Sequence, residues 1–398
     1  MNIPGLDALI TGLAQRWAKR QGPTGVATLD AWNPATTHRI LLVLTTGLGD
    51  AIFSSAVIDP LKQLFPQAEF GLLVRHKWQA LYAADSRLHC VIPYYGKYRR
   101  YWQTWRTLRR FNADLTLVLH ANDPDVLPLL AFAGCRYLVR VPVAGTRYPY
   151  LLANRLQPAD QQTMPGWHYV ENRLRILDSL CTPGKLVRPQ AGWSAGPRLC
   201  VGPDSSASLP ATLQAWLGGQ PYLVLHPHAA DRYKSWPQAE LKQFLQHCQQ
   251  QGVRVIITGT AADQAILAPT LLAAQAALSQ QSSAAVPVWR SCVGELNLAQ
   301  MLALLQRATL VIAPDTGILH AAAALGRPVL GLYAATDAAQ VGPRRQQSGQ
   351  LVQVLQRPQT CTPCLEKKCP YLIPLCMQQL TADAVWHATH SLLIAAQR

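Results

Sequence analysis

The stretch Thr309-Leu310-Val311-Ile312-Ala313-Pro314-Asp315-Thr316-Gly317-Ile318-Leu319-His320, running on through Ala321-Ala322-Ala323-Ala324-Leu325-Gly326-Arg327-Pro328-Val329-Leu330-Gly331-Leu332-Tyr333, decides the fold class. The apolar runs Thr309 to Ile312 and Val329 to Leu332 have strand length, and Gly317 to Leu325 between them has helix length. Strand, tight polar turn, short helix and second strand make a βαβ unit in an α/β protein with parallel sheets. Asp315, Thr316, Gly317 and His320 gather at the turn. A helix N-terminus there leaves backbone N–H groups without partners and carries the positive end of the helix dipole, so the turn reads as a phosphate site. Gly317 lets the backbone approach a ligand closely.

The alternation extends outward in both directions. Arg39 to Leu44 is the continuous apolar run expected of a parallel strand covered on both faces. Further strands are predicted at Phe70 to Val74, Cys90 to Ile92, Leu115 to Leu119, Leu223 to His226 and Val253 to Thr258. Helical patterns lie at Ala51 to Leu64, Ala239 to Gln250 and Leu298 to Arg307, with Asp59-Pro60 expected to kink the first or move its start. Residues 1–38 read as an appended segment, in which Leu6, Leu9, Ile10, Leu13 and Trp17 recur at helical spacing beside Arg16, Lys19 and Arg20. Such a helix either lies on a membrane surface or packs on the domain that follows. The first α/β domain then spans 39–195 and the second 221–380. Between them, 196–220 is an interdomain region rich in Gly, Pro, Ser and Ala, and 381–398 form a last helix capped by Thr381.

A chain of 398 residues is long enough for two such domains. Its 36 Lys and Arg outnumber 21 Asp and Glu, and the formal charge of +15 favours an anionic partner. Nucleic acid, an anionic membrane surface and a phosphorylated substrate all qualify. No apolar run approaches the roughly 20 residues that span a bilayer, and the N-terminus lacks the order of a signal peptide, so the chain is placed in the cytoplasm. Of the ten cysteines, Cys90, Cys135, Cys181, Cys200, Cys248 and Cys292 are scattered as small hydrophobes. Cys361, Cys364, Cys369 and Cys376 cluster instead, either as a tetrahedral structural zinc site or disulfide staple, or as reduced thiols.

Three further turns carry chemistry. Thr45-Thr46-Gly47-Leu48-Gly49-Asp50 follows the first strand but lacks the three-glycine spacing of a dinucleotide site. Asp50 is either a helix cap or a general base held at the carboxyl edge of the sheet. The loop after Leu223 to His226 carries Arg232, Tyr233 and Lys234, which suit a phosphate and its leaving-group charge or form a solvated loop. In Thr258-Gly259-Thr260-Ala261-Ala262-Asp263, Asp263 either accepts ribose hydroxyls or starts its helix. From Tyr94 to Phe111 aromatics interleave with Lys97, Arg99, Arg100 and Arg106 and no acid intervenes. Tyr98, Trp102, Trp105 and Leu108 share one helical face for packing. The cations suit single-stranded nucleic acid or a phosphorylated lipid at a membrane.

Together these motifs resemble glycosyltransferase family 9, the bacterial heptosyltransferases of the lipopolysaccharide inner core, from Arg39 to Thr381. The family's Ser/Thr-x-Gly-Asp turn falls on Asp50, its Lys-x-Trp-Pro element on Lys234-Ser235-Trp236-Pro237, and its Asp-Thr-Gly-x-x-His element on Asp315, Thr316, Gly317 and His320. Thr336-Asp337 also has its counterpart there, whereas Pro227-His228-Ala229-Ala230 replaces a small hydroxyl-bearing loop. The resemblance implies a GT-B architecture, two Rossmann-like doubly wound domains facing across a cleft. It implies an inverting, metal-independent transfer of heptose from ADP-heptose to a lipopolysaccharide core or related glycolipid. Asp50 is then the base. Arg232, Lys234, Asp263, Asp315, Thr316, Gly317 and His320 bind the donor, and Lys97, Arg99, Arg100 and Arg106 bind an anionic acceptor rather than nucleic acid. The expected place is the cytoplasmic surface of the inner membrane. No cofactor is then required for catalysis, the cysteine cluster being a structural zinc site at most. A nucleotide-sugar epimerase of similar fold and a non-catalytic nucleotide-sugar or lipid-binding module are the alternatives.

Overall fold

The computed structural model describes residues 4–21, 27–140, 146–154, 167–181, 185–190, 192–202, 209–281, 286–357, 364, 369–371 and 374–396. The chain divides into two compact units, Met1–Cys200 and Val201–Arg398.

The first unit is built on five strands, β1 (Arg39–Leu44), β2 (Glu69–Arg75), β3 (Cys90–Tyr94), β4 (Leu115–His120) and β5 (Leu138–Arg140), in the order β3-β2-β1-β4-β5. Every pairing is parallel. The central β1 buries Ile40 to Leu44 completely because it has a neighbour on each edge and helices on both faces. The long helical run expected at Ala51 to Leu64 is divided into Leu48–Ser54, a 3₁₀ turn at Ser55–Val57, and Ile58–Leu64. Ser54 and Ser55 hydroxyls donate back to the carbonyls of Asp50 and Ile52, at 2.8 and 2.7 Å, which loosens the helical ladder there. Pro60 then sits in the first turn of the new helix, where its missing N–H costs nothing.

The helix Tyr101–Phe111 lies close on β2 because Gly71 has no side chain. A Cβ there would stand 2.8 Å from the Phe111 ring. Gly71→Val is expected to destabilise the protein by about 1–3 kcal/mol through overpacking, although valine is the better strand former. A urea midpoint at or above that of the parent would show instead that the helix shifts freely. This helix buries Thr104, Leu108 and Phe111. The single packing face expected for Tyr98, Trp102, Trp105 and Leu108 is therefore not formed: Tyr98 precedes the helix and Trp102 is exposed. The N-terminal helix Pro4–Arg20 packs on the unit through Ala14, Ala18 and an edge-on contact of Trp17 with Phe132.

The second unit has six strands, β6 (Leu223–Leu225), β7 (Val255–Ile257), β8 (Trp289–Ser291), β9 (Leu310–Pro314), β10 (Val329–Tyr333) and β11 (Val352–Gln356). Their order is β11-β10-β9-β6-β7-β8, again with parallel pairings throughout. The stretch 309–333 forms β9, the helix Gly317–Ala324 and β10, with Val311 beside Val329. Trp236, Phe244 and Met377 are buried in the core on one face of this sheet. Each sheet reverses its winding once, between β1 and β4 and between β6 and β9. Crevices outside the carboxyl ends of such strand pairs are where ligands bind in open α/β sheets. Among the described residues no helix is long and apolar enough to cross a membrane.

Candidate active site

In the first unit the reversal point brings β1 and β4 side by side, so the turn after Leu44 meets His120 at the end of β4. Arg75 Nε donates to the Thr45 carbonyl at 2.6 Å and Trp78 Nε1 to that of Thr46 at 3.0 Å, fixing this turn. Asp50 lies in the first turn of Leu48–Ser54. It is no side-chain cap, because Gly47 occupies that position. Its Oδ1 accepts from Arg173 at 3.2 Å and its Oδ2 lies 3.7 Å from His120 Nδ1. Arg173 belongs to the helix Tyr169–Leu174, and its side chain is only 7% exposed. Thr46 Oγ1 lies 2.5 Å from the same His120 nitrogen. Burial, reinforced by Arg173, pushes His120 down to about 4, so its imidazole is neutral at pH 7.

In the second unit the reversal point joins the loop after β6 to the turn after β9. Lys234 Nζ donates to Asp315 Oδ2 at 2.8 Å. Thr336 Oγ1 donates to the same oxygen at 3.0 Å, and His320 Nε2 lies 3.3 Å from Oδ1. Burial opposes ionisation of Asp315, but His320 and Lys234 outweigh it and hold the carboxyl well below the usual carboxylate range. Thr316 precedes the helix Gly317–Ala324 without a side-chain cap bond. Its buried Oγ1 has no hydrogen-bond partner among the described residues. The structure thus gathers Lys234, Asp315, Thr316, Gly317 and His320, while Arg232 lies exposed on the neighbouring loop.

Asp263 forms a capping box with Thr260 at the start of its helix. Its Oδ2 accepts from Thr260 N and Oγ1, at 2.6 and 2.8 Å, and its Oδ1 lies 2.6 Å from His228 Nδ1. The bulky His228 therefore has a carboxylate partner. His226 beneath it approaches Thr258 Oγ1 at 3.0 Å, and burial pushes its imidazole down to about 4.

The depressed values of His120 and His226 have a consequence for stability. An unfolded histidine titrates near 6.5, so between pH 6.5 and about 4 the unfolded chain binds protons that the folded one does not. Stability therefore falls as pH drops through that window, by up to about 1.4 kcal/mol per pH unit for each histidine. Asp315 adds its own loss only below the ordinary carboxylate value. Unfolding midpoints measured across the window are expected to slope steeply in the parent and less in His226→Gln. Equal slopes would contradict the assignment.

Lys97, Arg99, Arg100 and Arg106 are all exposed in and after the loop that leaves β3. Cys361 lies outside the described residues, Cys364 and Cys369 are half-buried, and Cys376 is buried. Among the described residues no three His, Cys, Asp or Glu side chains are grouped to hold a metal ion.

Two Rossmann-like units, each with polar side chains collected at its reversal point, are the parts of a GT-B glycosyltransferase. The profile of glycosyltransferase family 9 (heptosyltransferase) matches residues 188–373. Lipopolysaccharide heptosyltransferase 2 of Escherichia coli is 31% identical over 311 residues, covering 74% of this chain and 82% of that protein. Lipopolysaccharide heptosyltransferase 1 of Pseudomonas aeruginosa is 27% identical over 384 residues, covering 90% of this chain and 99% of that one. The solved structure of the E. coli ADP-heptose lipopolysaccharide heptosyltransferase II superposes with a TM-score of 0.68, at 20% identity by structural alignment, over 90% of this chain and 100% of that chain. The chain belongs to glycosyltransferase family 9 and is a glycosyltransferase.

Proposed function

We propose that the protein transfers heptose from ADP-heptose to an anionic glycolipid of the lipopolysaccharide core in one inverting step that uses no metal ion. The observation that carries this reading is the pairing of Lys234 with Asp315 beside the uncapped helix Gly317–Ala324. A fixed cation, a helix N-terminus and the unmet Thr316 hydroxyl suit a nucleoside diphosphate. Asp50 supplies the other half of the chemistry. It removes the proton from the acceptor hydroxyl, whose oxygen forms the new bond to the anomeric carbon from the face opposite the diphosphate. The bond from that carbon to the diphosphate oxygen breaks, and the nucleoside diphosphate leaves with the electron pair. Lys234 and the helix N–H groups stabilise the leaving charge through fixed dipoles.

Arg173 holds the Asp50 carboxylate in position at 3.2 Å, and His120 beside it is neutral. Lys97, Arg99, Arg100 and Arg106 hold the acceptor's phosphates, and the acceptor's lipid places the reaction at the cytoplasmic face of the inner membrane. His228 in place of a small residue, braced by Asp263, narrows the space beside the donor. Donor identity is tested by thermal unfolding, because a ligand that binds only the folded protein stabilises it by mass action. ADP-heptose, with EDTA present, is expected to raise the midpoint and a UDP-hexose to leave it unchanged. Stabilisation by the UDP-hexose alone would overturn the donor assignment.

A further inference from the structure

We propose that the groove between the helices Pro4–Arg20 and Tyr101–Phe111 is the face by which the protein seats itself on an anionic lipid bilayer. The inference deepens the membrane-bound reading above and rests on it for the choice of a lipid surface. The groove has a volume of about 580 Å³, and Leu6, Ile10, Leu13, Trp102 and Phe132 line it. Arg100 stands among these apolar residues. Trp102 is 69% exposed, Leu9 58% and Leu13 42%. Large apolar side chains collected on two adjacent helices form a patch that water penalises and that an acyl-chain boundary relieves. Tryptophan favours that boundary, with its ring among chains and its N–H near headgroups.

On these two helices and the loop before the second, the exposed charged side chains are all basic. Lys97, Arg99, Arg100 and Arg106 are exposed, and no acidic residue occurs from Tyr94 to Phe111. On the other helix Leu9, Leu13, Arg16 and Arg20 follow one another at spacings of four, three and four, so one stripe passes from apolar to basic. Its acid, Asp7, is engaged by the Tyr98 hydroxyl and by Arg147 at 3.4 Å. Cations flanking an apolar strip are what an interfacial helix uses on anionic lipid.

The face is held in shape before any lipid arrives. Gly96, Lys97, Tyr98 and Arg100 have φ values of 81°, 37°, 63° and 49°, so three side-chain-bearing residues sit in the left-handed region that disfavours them. The backbone N–H of Tyr98 donates to Asp125 Oδ2 at 2.9 Å, and the Tyr94 hydroxyl donates to Asp125 Oδ1 at 2.6 Å. Arg100 lies over the Tyr95 ring, 4.4 Å from its centroid. Leu6, Ile10 and Leu13 in the groove add aliphatic surface that suits acyl chains.

The test uses the full chain and vesicles of phosphatidylcholine with or without phosphatidylglycerol. Flotation is expected to recover the protein with the anionic vesicles, less so as salt rises. The variant Leu9→Gln/Leu13→Gln/Trp102→Gln is expected to lose at least about tenfold in vesicle affinity, since each buried apolar side chain contributes to partitioning. Its transfer to a deacylated, water-soluble acceptor should be unchanged, which also reports that it folds. Vesicles with brominated acyl chains should quench tryptophan fluorescence in the parent and markedly less in Trp102→Phe. Parent-like vesicle binding by the triple variant, unchanged quenching in Trp102→Phe, or displacement of the vesicles by a single-stranded oligonucleotide would each overturn the proposal. Vesicle binding that survives intact in a protein unable to transfer heptose would support this face while removing the proposed reaction.

Discussion

Asp50→Asn is expected to lower kcat by about 10²- to 10⁴-fold, the usual worth of a positioned general base. The amide keeps the shape of the carboxylate but cannot take a proton. Donor affinity should hold, because Lys234, Asp315 and the helix Gly317–Ala324 belong to the other unit. One side effect has to be separated from the chemistry. Arg173 is 7% exposed and its ion pair with Asp50 would be lost, and stranding a buried charge costs about 3–5 kcal/mol. Melting curves recorded beside the kinetics distinguish the two effects. A folded variant that binds donor and does not turn over supports the assignment. A folded variant with near-parental kcat would remove Asp50 from the mechanism.

Lys234→Ala is expected to lower kcat/KM by about 10²- to 10³-fold, the loss seen when one preorganised stabiliser of developing charge is removed. The ammonium lies 2.8 Å from a carboxylate that stays ionised because of it and of His320. Without Lys234, Asp315 keeps Thr336 and His320 as partners, so the turn should remain folded. Lys234→Arg should recover little, because a planar fork does not reproduce a compact point charge at this position. Loss of thermal stability with kcat/KM unchanged would mean that the pair serves only to hold the turn.

The central strands were legible because burial on both faces demands unbroken apolar runs, as in Ile40 to Leu44 and Leu310 to Ala313. β5, β8 and β11 were not read from the chain. Each is an edge strand, and segments such as Trp289-Arg290-Ser291 need not be apolar throughout. The long helix Gln264–Gln281 was likewise not predicted, and it carries Pro269 within it. The phosphate turn and Asp50 announced themselves because turns at strand ends concentrate Gly, Asp and Thr in a few positions. His120 left a fainter trace, one polar residue just past an apolar strand. Arg173 left none, for it reaches Asp50 across 123 positions of sequence through the packing of its helix on Leu48–Ser54. Asp263 shows the opposite limit, since a helix-capping aspartate and a ribose-binding one look alike in the sequence, and the bonds from Thr260 appear only in the fold.

The measurement that bears most directly on the account is the fate of the sugar in a single reaction. The protein is incubated with ADP-heptose and deacylated heptose-deficient core oligosaccharide in EDTA, and ADP release is followed together with the mass and anomeric configuration of the acceptor. The account predicts one heptosyl residue gained per ADP released, with the configuration at the anomeric carbon inverted and the reaction slowed at least about 10²-fold in Asp50→Asn. ADP-heptose consumed with no gain of mass by the acceptor, or a product with retained configuration, would contradict it.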